Sequence, residues 1–270
     1  MTTPPEKALT VPGLRELKAA GRKVTALTCY DALFARLLDG VVDILLVGDS
    51  LNQVLAGHET TLNATLDQMI YHAAAVKRGA RRSLVFVDLP FLTYQVSVPD
   101  AIRNAGRVLQ ETGAHGVKLE GGEAVAETVR ALVRIGIPVM GHLGLTPQAI
   151  HQLGGPRVQG REAAARERLR SDARLLEEAG ACAIVLELVP AALAGEISAD
   201  LAIPTIGIGA GPRCDGQVLV LHDMLGLNEG FAPRFLKQYA ELAAEVREAA
   251  ARYAREVREG RFPGVEHSFD

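Results

Sequence analysis

Gly116-Val117-Lys118-Leu119, then Glu123 to Arg134, then Pro138-Val139-Met140 is the stretch that decides the fold. Its first and last pieces are short and largely apolar. Glu123 to Arg134 spaces its apolar residues three and four apart with charges between, so the succession reads strand, amphipathic helix, strand. Working outward, similar apolar runs recur at Val24 to Leu27, Ile44 to Val47, Leu84 to Val87, Ala183 to Leu186, Thr205 to Ile208 and Val218 to Leu221, which makes eight. Their near-continuous apolarity suits parallel strands buried on both faces. Helical spacing recurs in Leu66 to Arg78, Asp100 to Gln110, Ala163 to Ala179 and Phe235 to Val257. In the last of these Leu236, Tyr239, Leu242, Val246, Tyr253 and Val257 form one stripe. Repeats of β then α give a parallel sheet, and eight parallel strands close naturally into a (β/α)8 TIM barrel. An open doubly wound sheet is the alternative, but Thr28-Cys29-Tyr30-Asp31 after the first strand lacks the Gly-rich phosphate turn of that fold. No Ser/Pro-rich linker or charge block interrupts the 270 residues, so the expectation is one barrel domain over 1–270 with a short N-terminal extension.

The composition narrows the function classes. The net charge is -3 and no stretch concentrates Lys or Arg, which argues against a nucleic-acid partner. The longest apolar runs, such as Ala181 to Leu186, fall far short of the roughly 18 to 20 residues that cross a bilayer. The segment MTTPPEKALT lacks the apolar stretch of a secretory signal. Cys29, Cys182 and Cys214 are odd in number and scattered, without C-x-x-C spacing. These features point to a reduced, cytoplasmic protein.

A barrel of this kind carries its active site at the carboxyl ends of its strands, so the residues found there are the chemical signal. They are polar: Tyr30-Asp31, Asp49-Ser50, Asp88, Lys118-Leu119-Glu120, His142, Glu187 and His222-Asp223, with Gly207-Ile208-Gly209-Ala210-Gly211 after the seventh strand. Any single Asp here is accounted for by an Asx-turn or a helix cap. Together, Asp49, Asp88, Glu120 and Glu187 would converge on one mouth and repel one another, which calls for a compensating cation or a proton. Lys118 offers one positive charge. A hard divalent ion such as Mg2+ would supply the rest, since the available ligands are oxygens and no zinc motif is present.

Glu187 lies within Ile184-Val185-Leu186-Glu187-Leu188-Val189-Pro190, where burial should raise its pKa toward the range useful to a general base; pairing to an Arg accounts for it equally. His142 could donate to an oxyanion or leaving group, and a core histidine bonded to backbone is the plainer account. Gly207 to Gly211 reads as a backbone-donor loop or as a tight turn. Gly154 to Arg161 reads as a closing loop or as a static surface segment.

With these residues laid out, the chain resembles the ketopantoate hydroxymethyltransferase (3-methyl-2-oxobutanoate hydroxymethyltransferase) family from about Leu14 to Phe269. The resemblance is carried by Val47-Gly48-Asp49-Ser50-Leu51, Asp88-Leu89-Pro90-Phe91, Val117-Lys118-Leu119-Glu120-Gly121-Gly122, Gly141-His142-Leu143-Gly144-Leu145-Thr146-Pro147-Gln148, Leu186-Glu187, and Gly207 to Gly211 through Cys214-Asp215-Gly216-Gln217. It departs at Asn52-Gln53, where family members often carry Gly-Met. The resemblance implies a barrel of the phosphoenolpyruvate/pyruvate type, assembled as a homo-oligomer, commonly a decamer. It also implies transfer of a one-carbon unit from 5,10-methylenetetrahydrofolate to 3-methyl-2-oxobutanoate, giving 2-dehydropantoate and tetrahydrofolate, through a Mg-stabilised enolate, as the first committed step of pantothenate biosynthesis. Carried over by motif, Asp49, Asp88 and Glu120 would serve the Mg2+ site, directly or through water. Asp49, Ser50, Asp88 and Lys118 would contact the oxo acid, Glu187 would accept the proton, and His142 would be an auxiliary group.

Three rivals compete with this. A lyase of the isocitrate lyase or phosphoenolpyruvate mutase type often carries its catalytic Cys in a Lys-Lys-Cys-Gly-His run, a setting that none of the three cysteines has. A Schiff-base aldolase would need Lys118 neutral, against its acidic neighbours. A non-catalytic barrel would have no use for so many carboxylates at its mouth.

Overall fold

The computed structural model describes residues 8–269, so the N-terminal extension expected from the sequence lies outside the described residues. Eight strands, β1 (Val24–Thr28), β2 (Ile44–Val47), β3 (Leu84–Asp88), β4 (Gly116–Glu120), β5 (Val139–Gly144), β6 (Ala183–Glu187), β7 (Thr205–Ile208) and β8 (Gly216–Leu219), pair in sequence order as a closed, all-parallel barrel. The helices are α1 (Val11–Ala19), α2 (Ala32–Leu38), α3 (Leu51–Val54), α4 (Leu66–Gly79), α5 (Val98–Thr112), α6 (Glu123–Arg134), α7 (Ile150–Leu153), α8 (Ala163–Glu178), α9 (Ala191–Asp200), α10 (Leu221–Met224) and α11 (Leu242–Arg258).

The apolar runs lack visible alternation because each strand buries both faces, in two different cores. Val24, Ala26, Ile44, Leu46, Leu84, Phe86, Met140, Ala183, Val185, Ile206 and Val218 fill the barrel interior, joined by Leu14 and Leu17 of α1. The residues between them, including Leu45, Val85, Val87, Val117, Leu119, Ile184 and Leu186, belong to a separate core with Met69, Val76, Val108, Val129, Leu132 and Leu176 of the surrounding helices. The period of two survives in space though not in composition. Continuing the interior column toward the carboxyl end of each strand brings Asp88 on β3, Lys118 and Glu120 on β4, His142 on β5 and Glu187 on β6.

Most of these polar residues lie within the strands and not past them. The strand-end expectations at Val87, Leu119, Met140 and Leu186 fall short because ladder pairing continues through Asp88, Glu120, Gly144 and Glu187. The eighth strand also shifts, from the expected Val218 to Leu221 to Gly216–Leu219. It begins at a glycine because Gly216 pairs with Val24, and a Cβ there would lie 2.3 Å from the Val24 carbonyl oxygen. β7 passes to β8 through residues 209–215 with no intervening helix.

The chain divides after Val220 into two compact units, and all eight barrel strands lie within the first. In the second unit the expected helix over Phe235 to Val257 begins only at Leu242. The backbone of Tyr239 and Leu242 bonds instead to the carbonyls of Met224 and Leu225, at 2.8 and 3.0 Å, which draws 236–241 out of the helical ladder despite their spacing. His222 and Asp223 likewise sit in α10 of this unit and not at a strand end. Among the described residues no helix is long and apolar enough to cross a membrane.

Candidate active site

Six of the residues singled out in the sequence meet at the carboxyl end of the barrel. Asp88, the last residue of β3, is in register with Lys118 on β4, and Glu120 with His142 on β5. Asp88 Oδ1 lies 3.2 Å from Lys118 Nζ, and Asp88 Oδ2 accepts from the Asp49 backbone N at 3.1 Å. Lys118 Nζ is 3.0 Å from His142 Nδ1, Glu120 Oε1 is 3.5 Å from the same nitrogen, and His142 Nε2 is 3.2 Å from Glu187 Oε2. Asp49, Asp88, Lys118, Glu120 and His142 are all buried. Ser50 stands beside them, its Oγ 2.9 Å from Tyr30 Oη.

Glu187 departs from expectation. Its side chain is 16% exposed, against 4 or 5% for Asp88, Glu120 and Lys118, so it is less buried than the other acids. The apolar neighbours in its sequence do not surround it, because Leu186 points into the outer core. Its backbone is fixed: Leu145 N donates to Glu187 O at 2.8 Å, and Leu188 takes up the left-handed conformation, φ 46, immediately after it. The Gly154 to Arg161 loop is tied in here too, through Gln159 N to Leu188 O at 2.8 Å.

The charges are strongly interdependent. Burial, then repulsion from Asp88 and Glu120, holds the Asp49 carboxyl well above the usual carboxylate range. Burial also raises Asp88, although Lys118 pulls it the other way. For Lys118, burial opposes the charge, but Asp88, Glu120 and Asp49 outweigh it and lift its pKa above the ordinary lysine value. A charged Lys118 does not condense with a carbonyl, which argues against the Schiff-base alternative. Burial and Lys118 work against a proton on His142, yet bonds to Glu120 and Glu187 raise its pKa overall. The Lys118 ammonium faces Nδ1, and Nε2 faces Glu187 without an aligned hydrogen bond. A proton on Nδ1 would face Glu120, whose own pKa is lowered by His142 and Lys118 against the effect of burial.

The donor set fits a hard divalent cation. Asp49 and Asp88 are two buried carboxylates, the repulsion of Asp49 by Asp88 exceeds its attraction to Lys118, and Asp88 Oδ1 makes no aligned hydrogen bond. Mg2+ typically uses one or two protein carboxylates and leaves its other positions to water and substrate. Among the described residues no three His, Cys, Asp or Glu side chains are grouped so as to hold an ion together, and the expected trio of Asp49, Asp88 and Glu120 is not such a group. Burial pushes the Cys29 and Cys182 thiols up to about 12.

Two residues of this site are not legible as functional in the sequence. Gln148 lies 2.9 Å from Asp49 Oδ2 through Nε2, and Tyr94 Oη lies 2.7 Å from Gln148 Oε1. A neutral amide and a loop tyrosine give no charge or spacing signal, and Gln148 stands out only as the end of the Gly141 to Gln148 motif. Beside them opens a cavity of about 570 Å3 lined in part by Phe91, Gln95, Glu120, Thr146, Gln148 and His151. Asn52 and Gln53 bond to the loop that follows: Asn52 Nδ2 donates to Thr60 O and Gln53 Nε2 to Glu59 O, each at 3.0 Å.

The ketopantoate hydroxymethyltransferase family model matches residues 8–265. A 3-methyl-2-oxobutanoate hydroxymethyltransferase of Pelobacter propionicus is 54% identical over 265 residues, covering 98% of each chain. One of Moorella thermoacetica is 56% identical over 262 residues, covering 97% of each. Among solved structures, phosphonopyruvate hydrolase in complex with oxalate and Mg2+ superposes with a TM-score of 0.61 at 14% identity, covering 96% of this chain and 93% of that one. 2,3-Dimethylmalate lyase, a member of the phosphoenolpyruvate mutase/isocitrate lyase superfamily, gives 0.60 at 17%, covering 96% and 92%. These two likenesses concern the fold.

Proposed function

The chain belongs to the ketopantoate hydroxymethyltransferase family, and from that premise we propose that it transfers a hydroxymethyl group from 5,10-methylenetetrahydrofolate to 3-methyl-2-oxobutanoate, using Mg2+ and Glu187 as the base. The observation that supports this reading is the run of close side chains from buried Asp49 through Asp88, Lys118 and His142 to the half-buried Glu187. In this reading Asp49 and Asp88 would form the cation-binding pair at one end of a keto acid site and Glu187 the proton acceptor at the other. Asp49 and Asp88 would hold the ion, with Glu120 acting through water because Gln148 N, at 2.9 Å, and His142 already engage it. When bound, Mg2+ would supply Lewis-acid stabilisation of the negative charge that develops on the keto oxygen as C3 loses its proton.

The protein's own groups do the rest. Ser50 and Lys118 contact the oxo acid, and the Lys118 ammonium adds fixed positive charge in a water-poor site. Glu187 removes the C3 proton, with His142 Nε2 3.2 Å from one of its oxygens and the other oxygen left for that proton. The cavity next to Glu120 and Gln148 gives the folate donor room to approach the carbanionic carbon. The carbon then attacks the donor's methylene carbon as one of its C–N bonds breaks. Water displaces the remaining nitrogen, so the methylene keeps the hydroxyl and tetrahydrofolate leaves with the C3 proton and the other proton of water. A cytoplasmic homo-oligomer, a decamer as is common in the family, is part of the same proposal. The unpaired state of all three cysteines is consistent with a reducing compartment.

The test is hydrogen exchange. Wild-type protein with Mg2+ exchanges the C3 hydrogen of 3-methyl-2-oxobutanoate for solvent deuterium without folate, as followed by NMR. Glu187→Gln keeps the shape and loses the basicity, so exchange and turnover both fall by about 10² to 10⁴ while keto acid binding persists. Exchange at the wild-type rate in this variant would place the base elsewhere.

A further inference from the structure

Gln148 uses every hydrogen-bonding capacity it has at one point of the site. Its carboxamide Nε2 donates to Asp49 Oδ2 at 2.9 Å and to Leu89 O at 3.0 Å. Its Oε1 accepts from Tyr94 Oη at 2.7 Å and from Gln95 Nε2 at 3.1 Å. Two donors and two acceptors exhaust a primary amide. The amide's direction is set by Leu89 O, which can only accept, so the nitrogen faces Asp49. Its backbone N–H meanwhile donates to Glu120 Oε2 at 2.9 Å. Tyr94 closes the frame from behind: its hydroxyl also accepts from Glu120 N at 3.1 Å, and both Tyr94 and Gln148 are buried.

One residue therefore fixes the rotation of Asp49, reached across 99 positions of sequence, and the carboxylate of Glu120 as well. A buried carboxylate with one oxygen tied to Gln148 has its other oxygen in a set direction. We propose that Gln148 is a positioning residue for the divalent ion: its carboxamide, braced by Tyr94, orients Asp49 for the metal, and its backbone N–H holds Glu120 one layer behind. The inference rests on the assignment of Asp49, Asp88 and Glu120 to the metal site. Partners that orient a ligand from behind in this way typically account for about 10- to 100-fold in metal affinity or activity.

The experiment measures Mn2+ binding to the full-length protein by EPR, with Mg2+ in competition, alongside thermal unfolding in chelator. Gln148→Met keeps the volume and removes both polar ends. It should weaken Mn2+ about 10- to 100-fold, with KM for the keto acid rising and unfolding in chelator close to that of the wild type. Tyr94→Phe should weaken Mn2+ in the same direction by a smaller factor, since the carboxamide stays and only its brace is lost. A folded Gln148→Met protein that binds Mn2+ like the wild type, or one whose only change is a lower melting temperature, overturns the proposal. Should Gln148→Met not fold, Tyr94→Phe decides, and unaltered Mn2+ affinity there overturns it. Wild-type protein that binds no Mn2+, or binds it undiminished in Asp49→Asn, overturns the metal assignment itself and this inference with it.

Discussion

Gly144 ends β5 in a left-handed conformation, φ 93, facing Glu187 across the ladder. A Cβ at this position would lie 2.1 Å from Glu187 O and 2.7 Å from Val189 Cγ2. No side chain fits there without pushing the end of β6 outward, and the φ value is one that residues with a Cβ rarely adopt. Gly144→Ala should therefore displace Glu187 while leaving Asp49, in the turn after β2, and Asp88, at the end of β3, in place. A misplacement of about 1 Å can cost about 10²-fold in rate. The expected outcome is a loss of that order in C3 exchange with Mn2+ affinity unchanged, read by NMR and EPR on the same sample. Wild-type exchange in this variant would show that the end of β6 tolerates the shift and that Glu187 is less tightly placed than its backbone bonds imply.

At the scale of elements, α1 does for the amino end of the barrel what the polar residues do for the carboxyl end: it closes it. Thr10 caps the helix by accepting from Gly13 N at 3.2 Å, and Leu14, fully buried, joins the interior core with Leu17. Lys18, in the last turn, donates to Ser198 O and Ile203 O at 2.6 and 2.9 Å and pairs with Asp215 at 2.8 Å, tying the helix to the barrel floor. Leu14→Ala leaves a cavity there, and such truncations cost about 2–5 kcal/mol. The chemistry is at the opposite end, so kcat and the keto acid KM should stay near wild-type values while the urea midpoint falls. A variant of unchanged stability would mean that α1 does not contribute to the interior core. A large loss of kcat at full stability would mean that the two ends of the barrel are coupled.

For the whole molecule, the barrel concentrates five buried ionisable side chains at one mouth, with Asp49 held far from its preferred ionisation. That arrangement favours the native state only when the excess negative charge is met, so stability should depend on the ion. A ligand that binds only the folded protein adds about 2.7 kcal/mol at 100 times its dissociation constant. Saturating Mg2+ should thus raise the melting temperature of chelator-treated protein, activity should return with the ion, and Asp49→Asn should abolish the thermal shift. A melting temperature indifferent to Mg2+ over the range that restores activity would contradict this account of the cluster.

The sequence by itself determined the eight strands, their parallel sense, the closure that follows from eight of them, and the acids and lysine that end their inner columns. Each of those follows from local pattern, since apolar runs, helical spacing and polar strand ends are written within a few residues of one another. What the tertiary structure decided is whatever depends on which face a residue presents. Glu187 reads as buried because Leu186 and Leu188 flank it, yet alternation sends Leu186 into the outer core and leaves Glu187 at the mouth, 3.2 Å from His142. The helix expected from Phe235 starts at Leu242 because backbone groups of 239 and 242 found carbonyl partners at 224 and 225. Gln148 carries no charge and no periodic signal. Only the closing of the barrel brings its amide to an aspartate 99 residues away, and no local pattern encodes a contact made at that separation.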